Sequence, residues 1–446
     1  MEKEMNQEAA VKSETQNDDF EASVGMSRKW DAREAGREVA ENTLKKLKHK
    51  PSFFLLFSTI HYEKNGGFQE LLEGVYEILS IDIPLIGGTV TGFMNNYGCY
   101  SHGTTALAVS SPNMDIAVGY GKNTKRNPKK AARICSNMIL SKLKDSKFNN
   151  KFLLNLISSS EMPNIPILGR KKIIKTGRLS SKLFMSMFWI SEYFFQKGHG
   201  RDDEVIEEVI KNLPDYNILS GGTIDDGAAL NNYQFFNNIV LTNSIVSLGM
   251  RTNFNLNVKT THNMKKTDTI LNITKTSGDG HIIHKINNQP AVGEFTKTLN
   301  WPEDFLTEKN WFRTNYYFPV GFKPNSKDHD FGPRLLGVII GDSFVTPIRS
   351  QESCSSVLTT SGQRILDAID INLKNYPCKP SFGLISSCAT RLETMGSNIY
   401  QAKNMIEKYF DNNPFIVFYV GGESTYSPEV GLNYMNFSFN SALFWN

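Results

Sequence analysis

The sequence predicts an α/β protein, mixed α+β in detail: an N-terminal domain of two duplicated α/β units over residues 22–252, then a strand-rich α+β C-terminal domain over residues 253–446. Three observations carry this. A short apolar run ending in paired glycine occurs as Leu85-Ile86-Gly87-Gly88-Thr89, as Leu219-Ser220-Gly221-Gly222-Thr223 and as Tyr419-Val420-Gly421-Gly422-Glu423. The first two close the same succession of strand-like and helix-like segments, which marks an internal repeat. Beyond Arg251 that rhythm gives way to short β-rich runs broken by turn residues.

In chain order, residues 23–27 read as a short strand, and Asp31 opens a helix that turns Ala35, Val39, Leu44 and Leu47 to one side. Phe53–Ser58 is continuously apolar, the pattern of a central strand covered on both faces. A second helix carries Phe68, Leu71, Leu72, Val75 and Leu79 inward and leads to the first glycine pair. Residues 104–111 and 114–121 read as a hairpin turning at Pro112-Asn113. The succession restarts at Asn127-Pro128, an N-cap followed by proline at the first helical position. Ala131, Ile134, Cys135, Met138 and Leu143 form its buried stripe, residues 152–158 match 53–59, and Val205, Ile206, Val209, Ile210 and Leu213 match the second helix. Residues 235–241 and 245–251 close the copy.

The copies differ by an insertion over residues 161–200. It opens with Arg170-Lys171-Lys172, Lys175 and Arg178, then runs Leu183-Phe184-Met185-Ser186-Met187-Phe188-Trp189-Ile190 and Tyr193-Phe194-Phe195. A helix apolar nearly all round is expected in the core; the alternatives are a lid over a cavity, or a face for a partner or a membrane surface. Further on, residues 269–274 and 282–286 are strands around Ser277-Gly278-Asp279-Gly280, and 290–299, 363–373 and 399–409 are helices. Residues 316–322, 335–340, 344–348, 356–360 and 381–387 read as strands, and strands at 432–438 and 441–445 end the chain.

A chain of 446 residues with 40% hydrophobic content can fill two or three domain cores. Five scattered cysteines without a Cys-x-x-Cys argue against a disulfide framework and a Cys-built zinc site, so a reducing, cytoplasmic location is expected. The N-terminus lacks an export signal, and no apolar run reaches the roughly 18 residues of a membrane span. Residues 1–21 hold seven acids and two bases with almost nothing apolar, the composition of a disordered acidic tail. The net charge of +4 is uneven: sixteen Lys or Arg lie between Lys122 and Lys182, against Asp145 and Glu161. The helix from Pro128 accounts for much of this as a solvated face, and no nucleic-acid partner is expected. Arg170-Lys171-Lys172 beside the aromatic helix reads instead as a peripheral-membrane or partner-docking element over residues 170–195.

Several stretches together resemble the FIST (F-box and intracellular signal transduction) domain family. They are Val24-Gly25-Met26-Ser27, the glycine-paired strands, Ile273-Thr274, Ile283-His284-Lys285-Ile286-Asn287-Asn288 leading into Pro290-Ala291, Cys388-Ala389-Thr390-Arg391, Gly422-Glu423 and Met435-Asn436. The resemblance covers nearly all of residues 22–446, with 22–252 FIST N-like and 253–446 FIST C-like. It implies an intracellular sensory protein that recognises amino acids or similar metabolites, with one branch of the family resembling haem-binding nitric oxide sensors. Asn287 stands where the family often has an acidic turn residue, the insertion is atypical, and no output module is visible, so the signal must pass to a separate output protein.

Arg391, just past a predicted buried strand, is placed to hold a ligand carboxylate bidentately or to form a structural ion pair. Glu423, after the third glycine pair, is placed for a ligand ammonium. With Asn436 and the strand-end residues Gly87, Gly88, Thr89, Gly221, Gly222, Thr223, Asp225 and Gly422, they define one expected pocket between the domains. Asp225 serves equally as a turn cap. Cys388 has no neighbouring histidine as base, so no catalytic residue is assigned. His281 and His284 lie at odd spacing on opposite strand faces and cannot share a metal, and none is expected. No cofactor is expected either; were haem bound, His61 and His102 are its candidate axial ligands. None of the glycine pairs has a nucleotide-loop spacing. The expected function is therefore a cytoplasmic small-molecule sensor in signal transduction, the alternatives being a haem-based gas sensor and a docking protein.

Overall fold

The computed structural model describes residues 20–165, 169–323, 331–374, 376 and 378–446. Of the expected acidic tail, residues 1–19 lie outside the described residues, and Glu21 already begins the first strand.

The first unit runs β1 (Glu21–Ser27), α1 (Ala32–Leu44), β2 (Phe53–Ser58), α2 (Phe68–Tyr76), β3 (Leu85–Thr89), a hairpin of β4 (Gly92–Asn95) and β5 (Gly98–Tyr100), and β6 (Thr104–Ser110). Asp31 caps α1 as the sequence predicts, its carboxylate accepting from the Glu34 N–H. The second unit repeats this with β7 (Met114–Lys122), α3 (Pro128–Leu143) and β8 (Asn150–Ser158). The insertion follows, carrying β9 (Ile173–Ile174), α4 (Arg178–Ile190) and a π-helical turn over Ser191–Phe195. Then come α5 (Asp202–Asn212), β10 (Asn217–Thr223), a hairpin of β11 (Gln234–Phe236) and β12 (Ile239–Leu241), and β13 (Ser244–Thr252).

A third unit starts at β14 (Asn255–Thr261) and is interrupted by a long excursion. The excursion holds β15 (Lys265–Thr276), β16 (Ile282–Ile286), β17 (Gln289–Pro290), α6 (Ala291–Thr298), α7 (Glu308–Tyr317), β18 (Val320–Phe322), β19 (Gly332–Arg334), β20 (Val338–Ile340), β21 (Ser343–Val345) and β22 (Ser353–Thr359), which form one nine-stranded sheet with β9 of the insertion. The unit resumes with α8 (Gly362–Leu373), β23 (Phe382–Cys388), α9 (Thr390–Met395), α10 (Ile399–Phe410), β24 (Phe415–Val420), a hairpin of β25 (Glu423–Ser427) and β26 (Gly431–Met435), and β27 (Phe439–Trp445).

The three sheets share one order, β1-β6-β2-β3, β7-β13-β8-β10 and β14-β27-β23-β24, with the last two strands of each parallel. Each hairpin leaves its own unit to extend a neighbour's sheet: β4 pairs with β24, β11 with β3, and β25 with β10. The exchange is cyclic, so no unit completes its sheet alone. The duplication seen in the sequence is therefore part of a triplication, and the long excursion inside the third copy hides it from a fixed-period reading.

Side-chain alternation explains why the central strands are apolar on both faces. Phe53, Leu55 and Phe57 of β2 point into a core shared by all three sheets, while Phe54 and Leu56 meet α1 and α2. Across the shared core Phe57 stacks on Phe418 at 4.5 Å and Phe152 meets Phe444 edge-on at 5.0 Å. Each such fully buried ring contributes about 1.5–3 kcal/mol.

Three expectations are corrected. Strands β6 and β7 are not a hairpin; they lie in different sheets, and β7 pairs with β13, because Pro112-Asn113 is the link between units. Within residues 316–322, Tyr316 and Tyr317 end α7 and the strand is confined to Val320–Phe322. Helix α4 is not a core element: Phe188 is buried, whereas Leu179, Leu183, Trp189 and Ile190 are exposed. Among the described residues no helix is long and apolar enough to cross a membrane.

Candidate functional site

The three glycine-paired strand ends meet. The Ile224 N–H donates to the Thr89 carbonyl (3.1 Å), the Thr91 N–H to the Tyr419 carbonyl (3.0 Å), and Gly222 exchanges backbone hydrogen bonds with Gly421 and Gly422 (2.9 and 3.0 Å). A Cβ on Gly222 would lie 1.8 Å from the Gly421 carbonyl oxygen, so only glycine permits this approach.

A cavity of about 170 Å³ opens beside the second and third of these ends. Its floor is Ser159 and Ser160 after β8, Cys388–Thr390 after β23, and Val420, Gly421 and Gly422. The insertion roofs it with Met162, Lys172 and Phe188, and the excursion closes it with Val338 and Val345 of its sheet and Ile348 just beyond β21. The insertion and the excursion, both foreign to the repeat, thus build one wall between them. Charge enters this mainly apolar space from Glu161, Lys172 and Asp202.

Asp202 is buried and hydrogen-bonded to Tyr434, and loss of hydration raises its carboxyl to about 7. Glu161 accepts from Lys197 at 2.6 Å and lies 3.5 Å from Lys125. Lys125 is fully buried, its Nζ donating to Ser158 Oγ (2.9 Å) and Asn243 Oδ1 (2.8 Å); burial lowers it to about 8 against the opposing pull of Glu161. Ser158 is equally sealed from the cavity, so this pair braces the strand ends and cannot reach a substrate.

The sequence-predicted residues divide. Gly422 and Asn436 border the cavity, Asn436 also accepting from the Leu335 N–H at 3.1 Å. Gly87, Gly88 and Thr89 pack against β11 and its approach, Thr89 bonding Tyr233 through its N–H at 2.9 Å. Gly221 and Gly222 lie within β10 against Val420 and Gly421, and Thr223 is held by Gln234 at 2.7 Å. Asp225 caps its own loop, accepting from the N–H groups of Gly227, Ala229, Leu230 and Asn231.

Arg391 and Glu423 do not clasp the cavity. Arg391 is buried behind its wall, donating to the carbonyls of Phe437 (3.2 Å) and Ile365 (2.9 Å) with Phe439 under its guanidinium; burial lowers it to about 10. Glu423 is wholly buried, accepts from Ser438 at 3.2 Å and from the Cys388 thiol, and is raised by desolvation to about 8. Burial pushes the Cys388 thiol well above its ordinary value.

His61 and His102 stand ring to ring at 4.6 Å, with Trp30 against His102 at 4.0 Å, and neither borders the cavity. That packing leaves no space for a macrocycle between them, and the pair does not fit haem ligation. Glu161, Lys172, Phe188, His199, Asp202 and Tyr434 also line the cavity without being expected there from the sequence; the adjacent acids Asp202-Asp203, opening the amphipathic helix that follows the insertion, were the one local sign.

A family model described as the FIST N domain matches residues 7–135 and 52–289. No curated protein matches. Among solved structures, cyanuric acid hydrolase from A. caulinodans is similar at 10% identity over 52% of this chain and 72% of that chain, with a TM-score of 0.25, a likeness that carries no argument.

Proposed function

The chain belongs to the FIST family, whose domains are sensory, and from that premise we propose a signal-transduction sensor that closes about an amino acid or related metabolite in the cavity beneath α4. The observation that carries this reading is the cavity itself: mainly apolar, set where strand ends from two units meet an inserted roof, with an acid at one side and a base at another. The ligand's ammonium faces Asp202 and its carboxylate the Lys172 edge, while Phe188 and Ile348 take its side chain. Closing the roof on a ligand links occupancy to the exposed face of α4, which hands the signal to a separate output protein. In this reading residues 253–446 are the FIST C-like part and the protein works in the cytoplasm, where its five unpaired thiols are stable. Equilibrium dialysis against mixed amino acids, followed by mass spectrometry, tests it: one amino acid should accumulate with the protein, and equal concentrations on both sides overturn the reading.

A second reading rests on α4 and its π-helical turn. Trp189 and Phe195 are 61% and 73% exposed, with Leu179, Leu183 and Phe194 also open to solvent and Lys171, Lys175 and Lys182 nearby in the chain. Arg126 fixes the turn by donating to the carbonyls of Tyr193 (2.7 Å) and Phe194 (2.8 Å). A rigid aromatic face set among bases suits an anionic bilayer surface. Co-sedimentation with phosphatidylserine vesicles should exceed that with neutral ones, and equal binding to both contradicts it.

A further inference from the structure

A cluster of metal-ligating side chains lies behind the cavity, and the ligand reading uses none of it as such. Asp203 and Glu204 in the first turn of α5, and His281 at the start of β16, each present one ligand atom, and these three atoms lie within 4.8 Å of one another. An acidic cluster at a helix start is no site by itself. What sets this one apart is the state of its histidines.

His281 is 3% exposed. Its Nδ1 lies 3.1 Å from the Thr346 carbonyl, an acceptor, so Nδ1 carries the hydrogen and Nε2 a bare lone pair. That Nε2 has no hydrogen-bond partner and faces Asp203 Oδ2 at 4.0 Å. Beside it, at 4.5 Å ring to ring, stands His199, 9% exposed. Its Nδ1 is 2.5 Å from Glu192 Oε2, which leaves its own Nε2 buried without a partner.

Each buried Nε2 lone pair forfeits hydration, and that of His281 faces a carboxylate besides, a costly arrangement that a bound cation reverses. The outer contacts match the same need. Metal-bound imidazoles donate their second N–H to a carbonyl or carboxylate, as both of these do. Ligating carboxylates are themselves hydrogen-bonded: Arg349 Nε donates to Asp203 Oδ2 at 2.6 Å, and Arg201 donates to both oxygens of Glu204 at 2.7 and 3.0 Å.

We propose that Asp203, Glu204 and His281, with His199 as a fourth donor on the cavity side, form a site for a divalent transition cation of the zinc class. Mixed imidazole and carboxylate donors suit Zn²⁺, Co²⁺ or Fe²⁺ better than the all-oxygen shells of Ca²⁺ or Mg²⁺. The odd spacing that separates His281 from His284 is no obstacle, because the partners come from α5 and the insertion; His284 turns to Ser343 instead.

The test is Co²⁺ titration of the chelator-stripped full chain, followed by visible d–d absorption and by competition with Zn²⁺. One equivalent should bind with a visible band that Zn²⁺ abolishes, and His281→Gln and Asp203→Asn should weaken binding by about tenfold or more. His284→Gln should bind as wild type. Because the buried variants can fail to fold, each is checked by circular dichroism, and His199→Gln, at the rim of the cluster, should change the band's position even where affinity survives. No visible band in the wild type overturns the proposal. So does an unchanged spectrum in folded His281→Gln, or a thiolate charge-transfer band, which would place the metal on Cys354 or Cys378.

Discussion

The carboxylate of Asp202 occupies space that a side chain on Gly422 would need: a Cβ there would lie 2.5 Å from Asp202 Oδ2. Gly422 also adopts φ +81°, a left-handed conformation that strains other residues. Gly422→Ala should therefore cost roughly 1–3 kcal/mol in denaturant unfolding, part of it recovered in the Asp202→Ala background. Gly293→Ala, exposed in α6 with open space around it, should instead stabilise by about 0.5–1 kcal/mol. Equal effects at both glycines would contradict the steric account.

Arg391 is a structural brace. Arg391→Met strips donors from the buried carbonyls of Phe437 and Ile365 and should cost about 2–4 kcal/mol, read from the denaturation midpoint. A variant as stable as wild type would show that those bonds contribute nothing.

Glu423 gives the stability a definite pH dependence. Its folded pKa of about 8 stands above the ordinary 4.5, so the folded state keeps a proton that the unfolded chain releases. The stabilisation from that proton is complete below pH 4.5 and is lost as pH rises through 8. Glu423→Gln stays neutral throughout, so its advantage over wild type should grow across pH 5 to 8, reaching roughly 1–3 kcal/mol. A difference that stays flat or shrinks with pH would contradict the raised pKa.

The α4 face should be separable from the fold. Replacing Trp189, Phe194 and Phe195 with serine should leave stability within about 0.5 kcal/mol per site, because these rings pack on little. Association with anionic vesicles should fall sharply. A large stability loss would mean the face is held by the protein itself.

Much of the fold was legible because its signals are local. The continuous apolar run of Phe53–Ser58, the Asp31 cap and the glycine pairs fixed strand, helix and turn without tertiary knowledge. Pairing was not legible, since the partner of β7 is β13, more than a hundred residues away, while β6 precedes it by three. Which residues border the cavity was illegible for a related reason. Arg391 and Glu423 sit at the expected strand ends, but whether a side chain points into a cavity or behind its wall depends on segments contributed by the insertion and the excursion. The insertion also supplies Phe188 and Lys172, whose positions nothing near them in sequence reveals, and they meet Asp202 from the first turn of α5.

Ligand binding through Asp202 beneath Phe188 is tested by a thermal-shift screen of single amino acids on wild type, Asp202→Asn and Arg391→Lys. One amino acid should raise the wild-type melting temperature in a concentration-dependent way. Asp202→Asn should lose that increment, and Arg391→Lys, though less stable, should keep it. No response from the wild type to any amino acid, or an increment that survives in Asp202→Asn and vanishes in Arg391→Lys, would contradict the claim.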